Sequence, residues 1–322
     1  MVRSLITRSL ALGGLLSGNS LLAAAFPQSP ENNPALQACL TNAVGGDATR
    51  AQFPSEESFH TQDVKSYSRQ YPYTPTAVMY PNNADEARSG GHDYVSKCIS
   101  GADGAITVDL KNLNQLSVDR ATGIATIGPI NGLKAVNEGL HNNGRRMIPH
   151  GTSATVGIGG HTLVGGFSPV TRRAGLTLDA LREVEVILAN GTVARAPASQ
   201  HPDLFWAMRG AGQSFSITTE LVFQTKPEPS NPIISYQCNI TSPSSAVLAG
   251  SWQAIVAGPQ LPRDLYTLAF LQGATLLVRG TFSDALALAS RIPGGRRDGR
   301  SQLARHVRRP LPLLECAEVL RK

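Results

Sequence analysis

Two periodicities, one of two residues and one of three to four, mark out most of this chain's elements. Residues 105–110 alternate apolar and polar side chains as a half-buried strand does. So do 115–119 and 124–128, and Arg120-Ala121-Thr122-Gly123 between them supplies the turn of a hairpin. Residues 182–188 and 192–196 read as a second hairpin around Asn190-Gly191, a pair that tolerates the positive φ of a tight turn. Residues 73–80, running into Pro81-Asn82-Asn83, and residues 217–225 are further strands. In 131–142, Leu133, Val136 and Leu140 fall on one helical side and Gly144 provides a stop. Residues 202–208 predict a short helix with Pro202 at its start. A shorter helical stretch falls at 34–40, while the rest of 26–70 is polar and irregular. Residues 227–232, Pro-Glu-Pro-Ser-Asn-Pro, read as a linker. Beyond it lie a strand at 233–239, a helix at 244–256 and two strands within 266–282. Strands mixed with a few helices define an α+β class, and 322 residues suffice for two cores.

The net charge of +6 suggests a nucleic-acid partner until it is located. Residues 291–322 hold eight Arg and one Lys against Asp298, Glu315 and Glu318, which is the whole excess. With Arg3 and Arg8 set aside, the body at 26–290 is about −2. No basic folded surface is therefore expected, and no nucleic-acid partner. The N-terminus reads as a secretory signal over residues 1–25. Arg3 and Arg8 precede the apolar run 9–16, and Ala23-Ala24-Ala25 fits a cleavage site. No later stretch is long and apolar enough to span a bilayer, so secretion is expected and membrane insertion is not. Cys39, Cys98, Cys238 and Cys316 are too scattered for a disulfide framework, and no metal-binding cysteine pair occurs. Asn190-Gly191-Thr192 and Asn239-Ile240-Thr241 are glycosylation sequons, in keeping with a secreted glycoprotein.

Two glycine segments carry the chemistry. One is Arg88-Ser89-Gly90-Gly91-His92-Asp93-Tyr94; the other runs from His150-Gly151-Thr152-Ser153 through Val156-Gly157-Ile158-Gly159-Gly160-His161 to Gly165-Gly166. Paired glycines permit positive φ, so successive backbone N–H groups can converge on an anion such as a pyrophosphate. Gly157-x-Gly159-Gly160 does not have the spacing of the βαβ dinucleotide fingerprint.

In order and composition these segments resemble the PCMH-type FAD-binding domain of the berberine-bridge-enzyme-like (vanillyl-alcohol-oxidase) flavoproteins, close to the fungal oligosaccharide oxidases. The resemblance also rests on D-G-A-I-T-V-D-L, L-T-L-D, E-V-E-V-I-L-A-N-G and P-D-L-F-W-A-M-R-G-A-G, and runs from about Tyr73 to Thr225. It implies a two-subdomain FAD-binding domain over 26–228, a partial antiparallel-sheet substrate domain over 229–285 and an unassigned Arg-rich tail at 286–322. It implies FAD as cofactor, attached covalently through His92. Ser153 stands where some members carry a second attaching cysteine, so one link is expected. Arg88, Ser89, Gly90, Gly91, His92, Gly151, Thr152, Ser153, Val156, Gly157, Gly159, Gly160, His161, Gly165, Gly166 and Ile217 are the implied cofactor-binding residues. Arg172-Arg173 sits where the family has a basic-aromatic pair, but Ala174 stands where an aromatic is common, and Leu204-Phe205-Trp206 reads as core.

The implied activity is oxidation of an alcohol or sugar hemiacetal, with molecular oxygen as acceptor and hydrogen peroxide as product. Two departures bear on it. A helix and strand of the family are missing near 84–87, which would leave part of a sheet unpaired or uncovered. The family's closing Y-G-x-N-x-x-R-L-like segment, and with it the usual catalytic base, does not occur. The catalytic residues are therefore not assigned; peroxide production at ordinary oxidase rates would call for a replacement base among uncredited residues such as Tyr236 or Tyr266. The alternative function is a truncated, non-catalytic remnant that binds FAD weakly or not at all.

Overall fold

In the computed structural model, residues 33–64, 74–83, 104–229, 233–241, 244–259 and 261–282 are described. The expected signal sequence, the Arg88–His92 segment, Cys98 and the Arg-rich tail lie outside the described residues.

The first unit contains α1 (Pro34–Ala43), β1 (Ala51–Gln52), β2 (Ala77–Met79) and β3 (Ile106–Val108). Asn33 caps α1 by accepting the Leu36 amide at 3.1 Å, and Pro34 opens the helix without a lost bond. The strands form a sheet of order β1-β2-β3, with β1–β2 antiparallel and β2–β3 parallel. The sequence reading of 26–70 as irregular is corrected here. Its Val44, Ala51 and Phe53 pack with Ala77 and Met79 on one face of β2, while Phe59 packs with Val78 and Tyr80 on the other. The central strand is thus paired on both edges and buried on both faces. At the β3 edge, Ile106 remains 43% exposed.

The second unit comprises β4 (Leu116–Val118), β5 (Ile124–Ile127), α2 (Leu133–Asn142), β6 (Arg146–Met147), α3 (Ile158–Leu163), α4 (Thr171–Ala174), β7 (Leu181–Ile187), β8 (Val193–Pro197), α5 (Pro202–Met208), β9 (Ile217–Gln224) and β10 (Lys226–Pro227). Both expected hairpins form, and their strands join β9 in an antiparallel sheet of order β4-β5-β9-β7-β8. The apolar side of α2 packs Leu133, Val136 and Leu140 against Ala125, Ile127, Leu221 and Phe223. Val184, Val186, Ile158, Phe205 and Met208 complete this core. On the solvent side, Arg195 bridges Glu183, Glu185 and Glu220 at 2.6, 3.2 and 2.7 Å. That network keeps the sheet face polar.

Two expectations change. The segment beginning at Pro227 is not free linker at its start, because Lys226 and Pro227 pair with β6. Arg146 reinforces the ribbon by donating to Thr225 Oγ1 and to the Thr225 carbonyl at 2.8 and 2.9 Å. Trp206 is not core. It is 78% exposed, whereas Phe205 beside it is buried, since adjacent residues on a helix face different ways.

The third unit is β11 (Ile234–Thr241), α6 (Ser245–Val256), β12 (Leu265–Gln272) and β13 (Thr275–Phe282), an antiparallel sheet of order β11-β13-β12. On one face, Leu276 and Val278 pack against Leu248 and Trp252 of α6. Among the described residues no helix is long and apolar enough to cross a membrane.

Candidate functional site

The second glycine segment is held by its own histidines. The Gly151 carbonyl can only accept, so His150 Nδ1 donates to it at 2.7 Å. The Gly151 amide can only donate, so His161 Nε2 accepts at 3.0 Å and its proton sits on Nδ1. Burial pushes the pKa of each imidazole below the usual 6.5, and the positive charge of His150 opposes protonation of His161 further. Both rings are neutral at neutral pH. His161 therefore serves the loop as a hydrogen-bonded acceptor.

The rest of the loop is fastened through its carbonyls and its amides. Leu133 N donates to Val156 O at 2.9 Å, and Lys134 N donates to Ala154 O at 3.1 Å. Ile158 N donates to Asn131 O, and Gly159 N to Pro129 O, both at 2.9 Å. Gly159 permits this approach, because a Cβ there would stand 2.7 Å from Pro129 Cβ. The amides of Thr152, Ser153 and Ala154 donate to no protein group among the described residues, and all three residues are exposed. At Gly160 a Cβ would meet nothing within 4 Å. The two ends of the loop are thus tied down through donors and acceptors alike, and the consecutive donors at 152–154 are left over.

A second strand of backbone closes the site. Gly165 and Gly166 both have positive φ, +123° and +80°. Thr177 N and Leu178 N donate to their carbonyls at 2.9 and 3.1 Å. The Thr177 hydroxyl lies 2.7 Å from Pro149 O and 3.0 Å from Gly166 O, joining the two ends of the segment. Thr177 is fully buried, and a side chain at Gly166 would overlap it. Phe167 follows, 62% exposed, with its ring centroid 6.3 Å from that of Tyr266 on β12. Alongside, Arg173 pairs with Asp264 at 3.1 Å and Arg172 donates to Leu261 O at 2.9 Å. The sheet of the third unit is thereby docked beside the glycine segment.

The structure brings Gly151, Thr152, Ser153, Gly157, Gly159, Gly160, His161, Gly165 and Gly166 into one neighbourhood. Val156 packs against the main core, and Ile217 lies at the start of β9 in a separate cluster with Leu110, Leu113 and Ile130. Arg88, Ser89, Gly90, Gly91 and His92 lie outside the described residues. Of the two tyrosines, Tyr236 lies on the α6 side, where burial raises its pKa and its hydroxyl donates to Tyr266 O at 3.3 Å. Tyr266 lies on the opposite side, towards Phe167. Sequence reasoning assigned no role to Phe167 or Thr177. Thr177 falls within the L-T-L-D stretch, so a local signal existed; the contact of Phe167 with Tyr266 spans 99 positions and left none.

These residues fit the pyrophosphate of a dinucleotide. Outward amides in succession suit a pyrophosphate, and the open faces at Gly160 and Gly165 admit close approach. The buried hydroxyls of Thr162 and Thr218 have no hydrogen-bond partner among the described residues. Residues 84–197 match the model of the FAD binding domain. The chain is thus similar to the family of FAD-binding, berberine-bridge-enzyme-like flavoproteins.

Within that family, the FAD-linked oxidoreductase sorD of Penicillium rubens is 36% identical over 249 residues, covering 72% of this chain and 52% of that protein. The xylooligosaccharide oxidase of Thermothelomyces thermophilus is 34% identical, covering 60% and 42%. The solved structure of a xylooligosaccharide oxidase from Myceliophthora thermophila C1 with xylobiose superposes with a TM-score of 0.72 at 30% identity, over 80% of this chain and 58% of that one. A glucooligosaccharide oxidase from Acremonium strictum, described as holding 6-S-cysteinyl, 8α-N1-histidyl FAD, superposes with a TM-score of 0.68 at 26% identity, over 79% and 56%. The chain spans about half the length of the curated relatives it matches.

Proposed function

We propose that this protein is a secreted FAD-dependent oxidoreductase acting on an oligosaccharide, with the flavin attached once, through His92. The observation that carries this reading is the loop of outward amides at Thr152, Ser153 and Ala154, enclosed by the histidine-braced glycine turns. Bound FAD supplies a hydride acceptor for a sugar hemiacetal, and its reoxidation by molecular oxygen yields hydrogen peroxide.

The chain's own residues position and enclose. Amides 152–154 offer donors to a dianion, with little reorganisation because the Ser153 and Ala154 carbonyls are tied down. His161, neutral and engaged by Gly151, holds the loop without placing a charge in it. Phe167 and Tyr266 bring an aromatic pair between the glycine turn and β12. Ser153 stands where the related bicovalent enzymes carry a cysteine, and its hydroxyl is too weak a nucleophile for a second link. Asn190 is exposed at a hairpin tip, where a glycan would meet only solvent.

The test is expression through a secretory pathway, followed by denaturing electrophoresis and a sugar panel. Wild type should keep yellow fluorescence in the gel and release peroxide with a reducing oligosaccharide, and His92→Ala should lose the bound fluorescence. Flavin that stays attached in His92→Ala would overturn the attachment. A flavin-free wild type would overturn the cofactor reading.

A further inference from the structure

The face of the β11-β13-β12 sheet turned away from α6 has a defined chemistry. Strand alternation and register place its side chains in cross-strand rows. Ser235, Thr281 and Tyr266 form the first row, nearest the glycine turn because Tyr266 meets Phe167. Gln237, Arg279 and Leu268 form the second, and Asn239, Leu277 and Phe270 the third. Among the described residues of this face, Arg279 is the one side chain charged at neutral pH. It is exposed and pairs with no carboxylate among the described residues, and its guanidinium lies 4.9 Å from the Phe270 ring centroid. The aromatic contact orients the guanidinium while leaving its donor edge open.

A lone cation flanked by an amide and an apolar side chain attracts an anion and offers it a planar pair of donors. Two residues separate the first row from the second, about 7 Å along the strands. That is roughly the reach from one sugar ring to the next. We propose that Arg279 is a specificity-determining residue, and that the substrate carries a carboxylate on the unit adjoining the one oxidised, as an acidic oligosaccharide does. The inference rests on the oligosaccharide-oxidising reading above and narrows its substrate class. Gln237 complements it by hydrogen bonding to a ring hydroxyl or to the second carboxylate oxygen.

The probes are cellobiose and cellobiouronic acid, whose carboxylate is on the non-reducing unit. Binding to the full chain is measured by calorimetry, which needs neither flavin nor turnover. The protein is deglycosylated first, because the Asn239 sequon stands on the same face. Wild type should bind the acid about tenfold tighter than the neutral sugar at low salt, with the preference shrinking as ionic strength rises. Arg279→Gln should abolish the preference and Arg279→Lys should retain part of it. Equal binding of the two sugars, binding of neither, or a preference that survives Arg279→Gln overturns the proposal. A visible spectrum of the same sample separates the two readings. Flavin-free protein that still prefers the acid defeats the oxidase reading and leaves the acidic-sugar site standing. Flavin-loaded protein with no preference does the reverse.

Discussion

At the scale of single residues, the glycines of the site divide by what a methyl group would meet. Gly166 combines a φ of +80° with contact against buried Thr177. Gly166→Ala should therefore lose about 2–4 kcal/mol, from left-handed backbone strain and overpacking together, read as a shift in the urea midpoint. Gly160 has neither constraint and lies inside α3. Gly160→Ala should leave stability unchanged or raise it by up to about 1 kcal/mol, yet lower flavin loading, because its methyl fills the open face. Normal loading would remove Gly160 from the cofactor surface. The histidines add a pH dependence. The folded pKa of both is depressed by burial, so the unfolded chain binds more protons below 6.5. Their stabilising contribution is complete above 6.5 and is lost as pH falls through the depressed folded values. A melting series from pH 7.5 to 5 should show wild type losing more than His161→Gln; parallel curves would contradict the assignment of a neutral, buried His161.

At the scale of elements, what the sequence discloses is local and what it conceals is relational. The hairpins at β4–β5 and β7–β8 were legible because alternation and a turn residue lie within one short window. The helix α2 was legible because Leu133, Val136 and Leu140 recur at helical spacing. The ribbon β6–β10 was not, since two residues carry no period and their partners are 79 and 81 positions away. The apolar triplet at 204–206 shows the limit of composition. Its hydrophobicity implies burial, but helix geometry turns only part of it inward. Phe205→Ala should cost about 3–5 kcal/mol, and Trp206→Ala should stay within about 0.5 kcal/mol. Comparable losses from the two, measured by denaturant unfolding, would mean that Trp206 is covered in solution.

At the scale of the whole molecule, the turns of the loop at 150–166 were legible because glycine pairs mark backbone geometry directly. The surface opposite it was not, because it is assembled by contacts between distant segments. Phe167 against Tyr266, Arg173 with Asp264 and Arg172 on Leu261 O join the flavin-domain turn to β12. The ion pair is weak as a source of stability: its partners are 47% and 31% exposed, so water and salt screen it. Arg173→Ala and Asp264→Ala should each change unfolding by no more than about 1 kcal/mol, with a coupling of about 0.2–1 kcal/mol that fades in salt. Its larger consequence is positional. The pair fixes where the row holding Tyr266 and the row holding Arg279 stand relative to the glycine turn, and misplacement of a positioning contact weakens catalysis more than it weakens folding. The double variant should therefore raise KM for an oligosaccharide several-fold while the melting temperature moves little. A fall in melting temperature with KM unchanged would show that the contact holds the units together without setting the geometry between them.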